Sequence, residues 1–319
     1  MLKRVAAWLG QASRVLIIFH ESPDGDGIAS SLALAHVLWE RGKKVSLVCR
    51  DPVPPVFNFL PKVDTIATDF IVADYDVICT VDCGDAKRTG FPDRIRKFAR
   101  TKKRLINIDH HLKNDLHKIA NINLVDSQAA ASAELVYQII NALGARIDKH
   151  LATLLLTGLF TDTGGFQHSN TTPRVFKLAA ELLARGGQLR KVSKNVSSSK
   201  PLTTLQLWGI ALERLWRTES GIVASLITQE DLRCVGAVAD DIAGAVNVLN
   251  SIPQTKLAIL LQEEANGKIK ASLRTEEEGV NVAALAAYFG GGGHRKAAGF
   301  TVDGKLARSS GGVWCIALS

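Results

Sequence analysis

The chain has 319 residues, of which 46% are hydrophobic and 22% are charged. This is the composition of a folded globular protein of up to two domains, and it excludes disordered, fibrous and single small-module classes. The net charge of +8, from 39 basic and 31 acidic residues, favours a polyanionic partner such as a nucleotide or a short nucleic acid.

The cysteines and the apolar segments bear on the cellular compartment. The five cysteines are Cys49, Cys79, Cys83, Cys234 and Cys315. An odd number without a C-x-x-C pair argues against a disulfide framework or a cysteine zinc site. No secretory signal is recognisable at the N-terminus, and no stretch reaches the roughly 20 apolar residues of a membrane span. We therefore expect a cytoplasmic protein without a membrane segment.

The first half of the chain alternates between strand and helix patterns. The apolar run RVLIIFH (14–20) predicts a strand, and it is followed by the turn cluster ESPDGDG and the helical pattern ASSLALAHVLWERGK. Three further runs, KKVSLVC, DYDVICTVDCGD and RLINIDHH, repeat the theme, and the last two end in acidic or histidine residues. Alternation of this kind predicts an α/β fold, with a mostly parallel sheet and flanking helices, whose carboxyl strand ends gather a site.

The second half of the chain predicts helices and then a smaller domain. Residues from about 127 to 187 show period-3.6 apolar spacing with glycine stops, and the serine-rich stretch LRKVSKNVSSSKP is predicted as a linker, partly helical. Next come a helix, two strand segments, of which the second bends around Asn266 and Gly267, and a helix that runs into GGGGHRKAAGF. We predict a catalytic domain over residues 1–195 and a smaller α+β domain over residues 196–319.

Four segments on separate predicted elements carry side chains that bind metals. The candidate ligands are His20, Asp24, Asp26, Asp82, His110 and Asp162. A single aspartate at such a position equally suits a turn or a helix cap, and this holds for Asp162 and for Asp85 beside Asp82. The three consecutive ionisable residues Asp109, His110 and His111 are different, because at a strand end they are costly unless paired or bound to metal.

Six oxygen and imidazole ligands suit a pair of divalent ions. Ligands without thiolates favour Mn²⁺ or Mg²⁺ over structural zinc, and the imidazoles favour Mn²⁺, while Co²⁺ or zinc can occupy such a site in vitro. Two ions about 3.5–4 Å apart activate water and stabilise the attacking and leaving oxygens of a phosphoryl displacement. The ligand set therefore predicts a two-metal hydrolase of phosphate esters.

The motifs HESPDGDG, VDCGD, DHH and TDTGGF, followed by KASLR and GGGGHRKAAGF, resemble those of the DHH-family phosphoesterases with a C-terminal DHH-associated domain. The resemblance covers residues from about 14 to about 303 and is strongest to the nanoRNA exonuclease and 3′-phosphoadenosine-5′-phosphate (pAp) phosphatase group, the bifunctional oligoribonucleases. It implies hydrolysis of short RNA or DNA oligonucleotides to mononucleotides and of pAp to AMP and phosphate, and it leaves open whether the oligonucleotides are degraded 3′-5′ or 5′-3′. It also implies an active-site cleft between the two domains, and a homodimer.

The resemblance also implies a role for each matching residue. One metal would be held by His20, Asp24 and Asp82, and the other by Asp26, Asp82, His110 and Asp162, with Asp82 as the bridge. His111 would face the scissile phosphate, either as a hydrogen-bond donor or as the acid for the leaving group, and Asp109 would orient a histidine. The substrate end would be held by Arg274, Gly291, Gly292, Gly293 and His294, although a glycine run also suits a plain helix exit.

Two other functions fit parts of the pattern. A cyclic-dinucleotide or linear-dinucleotide phosphodiesterase would carry the same metal motifs. A non-catalytic nucleic-acid-binding protein would suit the positive charge, but the complete ligand set argues against it. The tail after Arg308, SSGGVWCIALS, departs from the charged terminal helix that the resemblance implies.

Overall fold

The computed structural model describes residues 1–71, 75–111, 115–197, 201–308 and 314–317. The chain separates into two compact units, Met1–Ser199 and Lys200–Ser319. The helices of the first unit are α1 (Leu2–Gln11), α2 (Gly25–Glu40), α3 (Pro92–Thr101), α4 (Leu116–Ile119), α5 (Ser132–Ala142), α6 (Lys149–Asp162), α7 (Pro173–Ala184) and α8 (Leu189–Val196). Its strands are β1 (Arg14–Phe19), β2 (Lys44–Val48), β3 (Ile66–Ala67), β4 (Val77–Val81), β5 (Leu105–Asp109) and β6 (Ile122–Val125).

The first unit is built on a six-stranded parallel sheet in the order β3-β2-β1-β4-β5-β6, which confirms the predicted α/β fold. Helices cover both faces: Ile17 of β1 packs in the core that α2, α5 and α6 share, whereas its neighbour Ile18 packs in the core on the side of α3. This explains why β1 and β4 are buried at successive positions rather than at alternate ones.

The order of the strands creates a natural binding position. From β1 the chain builds outward to β2 and β3, and from β4 it builds outward in the other direction to β5 and β6. The direction therefore reverses between β1 and β4, which are hydrogen-bonded neighbours. In open α/β sheets, ligands bind outside the carboxyl ends of the strands at such a reversal.

The start of α2 differs from the prediction. Asp24 and Asp26 were expected in a loop, but α2 begins at Gly25 and Asp26 lies in its first turn. The reason is that the Asp24 carboxylate accepts the amides of Asp26 (3.1 Å) and Gly27 (3.0 Å), and an aspartate at this position caps a helix. The motif therefore both begins a helix and supplies acidic side chains.

Two other segments of the first unit also differ. The stretch predicted as a linker is helical from Leu189 to Val196, and Val192 is buried against the rest of the unit. Residues 198–200 of that stretch lie outside the described residues. Helix α1 was not predicted, and it is anchored by the buried side chains of Val5 and Leu9, which are one helical turn apart.

The second unit is a smaller α+β domain, as predicted. Its helices are α9 (Leu202–Glu213), α10 (Gln229–Val235), α11 (Ala245–Asn250) and α12 (Val282–Tyr288). Its strands are β7 (Trp216–Arg217), β8 (Ile222–Ile227), β9 (Leu257–Glu263), β10 (Lys268–Arg274), β11 (Gly292–His294), β12 (Ala297–Asp303), β13 (Lys305–Arg308) and β14 (Trp314–Ala317).

The strands of the second unit form a mixed sheet in the order β11-β12-β10-β9-β8-β7, in which β8 and β9 are parallel and the other pairs antiparallel. The predicted bend is the turn of the β9–β10 hairpin, where Gly267 adopts a φ of +77°. Strands β13 and β14 pair with each other, so the described part of the tail is a hairpin arm rather than a helix.

Candidate metal centre and catalytic site

The six predicted metal ligands of the first unit come together at the carboxyl edge of the sheet. His20 follows β1, Asp82 follows β4, His110 follows β5, and Asp162 ends α6. The six fall into two groups whose ligand atoms all lie within 4.8 Å of one another; they are His20, Asp24 and Asp82, and Asp26, His110 and Asp162. Asp82 and His110 also form such a group with His111, whose Nδ1 lies 3.5 Å from Asp82 Oδ1.

Asp82 belongs to the first group and also lies beside the second. Its Oδ2 is 3.9 Å from His20 Nε2, and its Oδ1 is 3.3 Å from His110 Nε2. The backbone at Asp82 is left-handed, with a φ of 59°, which is uncommon outside glycine and typical of functional sites when the surroundings enforce it. The Asp82 amide is held by the carbonyl of Ile108 at 3.0 Å. One carboxylate therefore faces both groups from an enforced backbone position.

Asp26 is completely buried, and groups on two helices donate hydrogen bonds to it. Its carboxylate accepts the backbone amides of Ser132 (2.5 Å) and Ala133 (3.1 Å) at the start of α5, and the Ser30 hydroxyl at 2.7 Å. A Cβ atom at Gly158 of α6 would lie 2.4 Å from Asp26 Oδ1, so a larger residue there would displace the carboxylate. The position of Asp26 is therefore fixed from all sides.

The histidine nearest β1 shows that a cation fits the first group. His20 Nδ1 lies 2.8 Å from the Glu21 carbonyl and donates its proton there, so in the neutral ring Nε2 is the unprotonated nitrogen. Nε2 is buried, forms no hydrogen bond among the described residues, and lies 3.4 Å from Asp24 Oδ1. A buried, unpartnered imidazole nitrogen that faces carboxylates is the arrangement that metal sites show.

The charges of the second group, Asp26, His110 and Asp162, also favour a bound cation. Burial, together with the charges of Asp82 and Asp162, raises the pKa of Asp26 well above its ordinary value. Burial also raises the pKa of Asp162 to about 6. Burial disfavours the charged form of His110, but its hydrogen bonds with Asp162 and Asp82 prevail and raise the pKa to about 12. The carboxylates therefore repel one another more than the protein's own positive groups compensate, and bound divalent cations would compensate the remaining negative charge.

His111 lies beside the two groups but is oriented by a different partner. Its Nδ1 is 2.8 Å from Asp109 Oδ1, and the other Asp109 oxygen accepts the Gly84 amide at 2.8 Å. Burial acts to raise the pKa of Asp109, but the hydrogen bonds with His111 lower it, so Asp109 is an ionised acceptor. The proton of His111 is thereby fixed on Nδ1, and Nε2 is the ring atom that can meet a substrate.

The predicted substrate residues of the second unit share one face of its sheet. Arg274 of β10 and His294 of β11 both lie opposite Ala297 of β12, and residues paired in this way point to the same side. Two strand spacings separate them, which is about 10 Å. His294 is exposed, and Arg274 Nε donates to Asn247 of α11 at 3.1 Å. This face of the sheet therefore presents the guanidinium of Arg274, which Asn247 holds in place, and the imidazole of His294.

The glycine run serves two structural purposes. The amides of Gly290 and Gly291 donate to the carbonyls of Ala287 and Ala286 and close the end of α12, so these amides are occupied. Gly292 and Gly293 lie in the edge strand β11. A Cβ at Gly291 would lie only 2.2 Å from the Gly299 carbonyl oxygen, so close packing requires glycine there. Backbone amides that bind a phosphate would therefore have to come from residues after Gly291 in the chain.

Sequence reasoning missed Ser132 and Ser30, which donate hydrogen bonds to the acidic ligands. Both residues lie in helical patterns, where a serine carries no chemical signal of its own. Another group, of His36, Glu40 and Asp148, joins α2 to the start of α6, with the His36 Nε2 atom 3.5 Å from Glu40 Oε1. It is partly exposed, and His36 lies in α2.

Comparison with known proteins decides the family. Residues 14–159 match the DHH family, N-terminal domain, and residues 222–309 match the DHHA1 domain. A protein of Thermus thermophilus named bifunctional oligoribonuclease and PAP phosphatase NrnA is 31% identical over 292 residues, which cover 91% of this chain and 84% of the relative. The chain belongs to the DHH family. A protein of the same name from Bacillus subtilis is 24% identical over 291 residues, covering 90% of this chain and 89% of the relative.

A solved structure of the DHH fold matches over most of the chain. The exopolyphosphatase-related protein of Bacteroides fragilis has a TM-score of 0.87 at 28% identity, covering 94% of this chain and 90% of the other. The chain is therefore a DHH-family phosphoesterase, a hydrolase of phosphate esters that depends on metal, with acidic and histidine groups that could hold it. Among the described residues, no helix combines the length and apolar character needed to cross a membrane.

Proposed function

We propose that this DHH phosphoesterase hydrolyses short oligonucleotides to mononucleotides and pAp to AMP and phosphate. The single observation that carries the proposal is the position of Asp82, which faces His20 with one oxygen and His110 with the other. The names of the Thermus and Bacillus relatives support the choice of substrate. The net charge of +8 also favours an anionic substrate.

In this proposal the two ligand groups hold two divalent ions. His20, Asp24 and Asp82 hold one, and Asp26, Asp82, His110 and Asp162 hold the other. The donor set contains oxygen and imidazole nitrogen but no thiolate, which favours Mn²⁺ and admits Mg²⁺ or Co²⁺. When bound, such ions supply a nucleophilic water at neutral pH and positive charge for the phosphoryl oxygens.

The protein's own groups then bind and orient the phosphate ester. Asp109 keeps the proton of His111 on Nδ1, so a protonated His111 donates from Nε2, either to a non-bridging oxygen or to the leaving oxygen. In the second unit, Arg274 and His294 bind the far end of the substrate, with Gly292 and Gly293 beside them in β11 and Gly291 packed behind. The resemblance to the family also supports a homodimer, which sedimentation analysis tests.

The proposal is tested by hydrolysis in the presence of Mn²⁺ with five substrates: pAp, a 5′-phosphorylated dinucleotide, linear di-adenylate, cyclic di-adenylate and a thirty-residue single strand. We expect fast turnover of pAp and of the short linear substrates, and loss of turnover in His111→Ala.

Other outcomes would change the conclusion. Preference for the cyclic substrate would make the protein a cyclic-dinucleotide phosphodiesterase. Equal rates on the dinucleotide and the thirty-residue strand would contradict the specificity for short substrates. Retained binding of short RNA without any hydrolysis would favour a nucleic-acid-binding protein instead.

A further inference from the structure

The N-terminus of α5 contacts both ligand groups through a single residue. The backbone amide of Ser132 donates to Asp26 Oδ2 at 2.5 Å, and its hydroxyl donates to Asp82 Oδ1 at 3.1 Å. Ser132 is fully buried, as are Asp26 and Asp82 to within 1%. The hydrogen bond to Asp82 comes from the side chain of Ser132, whereas the one to Asp26 comes from its backbone. A substitution of Ser132 can therefore remove the first bond and keep the second.

The hydroxyl selects one oxygen of the Asp82 carboxylate. Ser132 donates to Oδ1, the oxygen that also lies 3.3 Å from His110 Nε2, while Oδ2 lies 3.9 Å from His20 Nε2. A carboxylate can rotate about the bond to its Cβ atom, and a hydrogen bond to one oxygen restricts that rotation. The contact therefore keeps one oxygen toward each ligand group.

The start of α5 is itself firmly held, so that Ser132 has a fixed position. The residue before it, Ala131, has no side chain that can cap the helix, and Asp26 takes that role from another helix. Glu134 reaches back to the Ala130 amide at 2.7 Å, and Arg174 lies 2.6 Å from its other oxygen. The serine hydroxyl is thus presented to Asp82 from a rigid element.

We propose that Ser132 is a positioning residue, whose hydroxyl fixes the Asp82 carboxylate so that it bridges the two ligand groups. The inference rests on the proposed two-metal site and deepens it. Residues that hydrogen-bond to metal-binding carboxylates typically change metal affinity by about 10- to 100-fold when they are removed. Ser132 should therefore affect both ions, because the carboxylate that it orients serves both.

Ser30 provides the matched control. It is also a fully buried helical serine whose hydroxyl donates to a ligand carboxylate, Asp26 Oδ1 at 2.7 Å, but Asp26 belongs to one group only. Ser30→Ala should therefore weaken one Mn²⁺ site and leave the other unchanged. Ser132→Thr keeps the hydroxyl and should restore what Ser132→Ala removes.

The experiment is calorimetric titration of the metal-free full chain with Mn²⁺, together with electron paramagnetic resonance of the loaded protein. Wild type should bind two ions with an exchange-coupled spectrum. Ser132→Ala should bind both ions about 10-fold or more weakly and lose part of the coupling. If Ser132→Ala does not fold, the inference requires that Ser132→Thr keeps wild-type affinity and coupling.

The possible failures are distinguishable. Wild-type protein that binds fewer than two Mn²⁺ ions would overturn the two-metal site, and this inference with it. If wild type binds two coupled ions, and Ser132→Ala binds them with the same affinities and coupling, the two-metal site stands and only the role of Ser132 is overturned. Equal losses at both sites in Ser132→Ala and Ser30→Ala would also overturn it, because the effect would not depend on the bridge.

Discussion

The two units present functional side chains in opposite ways. In the first unit the acidic and histidine residues follow buried parallel strands, and Asp26, Asp82 and Asp109 are themselves buried. In the second unit Arg274 and His294 lie on antiparallel strands of a mixed sheet, one of them half-buried and the other exposed. Burial makes the first site costly unless a cation compensates the charge, whereas the second makes no such demand. Chemistry is therefore expected in the first unit and substrate binding in the second.

The largest effect is expected at the shared carboxylate. Asp82→Asn should lower hydrolysis by more than about 10³-fold, because the charge stabilisation that bound metal supplies amounts to several kcal/mol. The variant should also lose the rise in melting temperature that Mn²⁺ gives to wild type. The exposed Asp69, substituted in the same way, should change neither quantity.

His111 separates catalysis from metal binding within the first unit. His111→Ala should lower kcat by about 10²- to 10⁴-fold, the usual contribution of a positioned proton donor. It should leave the Mn²⁺-induced rise in melting temperature close to wild type, because the ring is held by Asp109. The exposed His150 serves as the control, and equal losses in both alanine variants would contradict the role of His111.

In the second unit, removal of charge should act on binding. Arg274→Met should raise KM for pAp by about 10-fold or more, as expected for one lost hydrogen bond to a charged group, with a smaller change in kcat. Lys268→Met is the matched control, on the same strand and the same face but six residues, or about 20 Å, away. A larger fall in kcat than rise in KM would place Arg274 in the chemistry instead.

The two units also differ in how tightly a helical glycine is packed, as Gly158 of the first unit and Gly209 of the second show. Gly158→Ala should destabilise the first unit by about 1–3 kcal/mol, because the new methyl group meets Asp26 and Ala133 at 2.4 and 2.9 Å. Gly209→Ala in α9 meets nothing within 4 Å and should stabilise the second unit by up to about 1 kcal/mol. Thermal unfolding of the metal-free variants measures both, and destabilisation by both would contradict the contrast.

The smallest effect concerns pH and a pair remote from the site. Arg214 and Asp231 form two hydrogen bonds, of 2.5 and 2.7 Å. Burial acts to raise the pKa of Asp231, but Arg214 and Thr228 prevail and lower it. Its folded-state pKa thus lies below the unfolded value of about 3.9. Stability from the pair is present above that value and is lost as the pH falls through the folded pKa.

Asp231→Asn should therefore destabilise the second unit by about 1–2 kcal/mol at pH 7, the usual value of a charged hydrogen bond. The difference from wild type should shrink as the pH is lowered below about 5. Chemical unfolding at several pH values measures it. A difference that does not depend on pH would show that the charge of Asp231 is irrelevant.

The same contrast explains how far the sequence alone could lead. The parallel sheet of the first unit was predictable, because apolar runs that end in Asp and His leave a strong pattern, and the same pattern named the six residues that come together at its edge. The helical position of Asp26 was not, because a glycine-rich DGDG segment favours a turn until the Asp24 cap is seen. Ser132 and Gly158 act through contacts between distant helices, which leave no local pattern.

In the second unit the sequence indicated less. The β9–β10 hairpin was predictable from its Asn-Gly turn. The edge strand β11 was hidden because two of its three residues, and the two residues before it, are glycines, which are depleted in strands. The helix formed by residues 189–196 was partly concealed by the polar composition that suggested a linker. Exposed functional residues such as His294 carry no signal beyond their motif.

The central claim is that one carboxylate serves two ions, and crystals grown with Mn²⁺ test it most directly through anomalous scattering. We expect two manganese peaks, one contacted by Oδ2 of Asp82 with His20 and Asp24, the other by Oδ1 with His110, Asp26 and Asp162. A single peak, or two peaks of which one has no contact with Asp82, would contradict it.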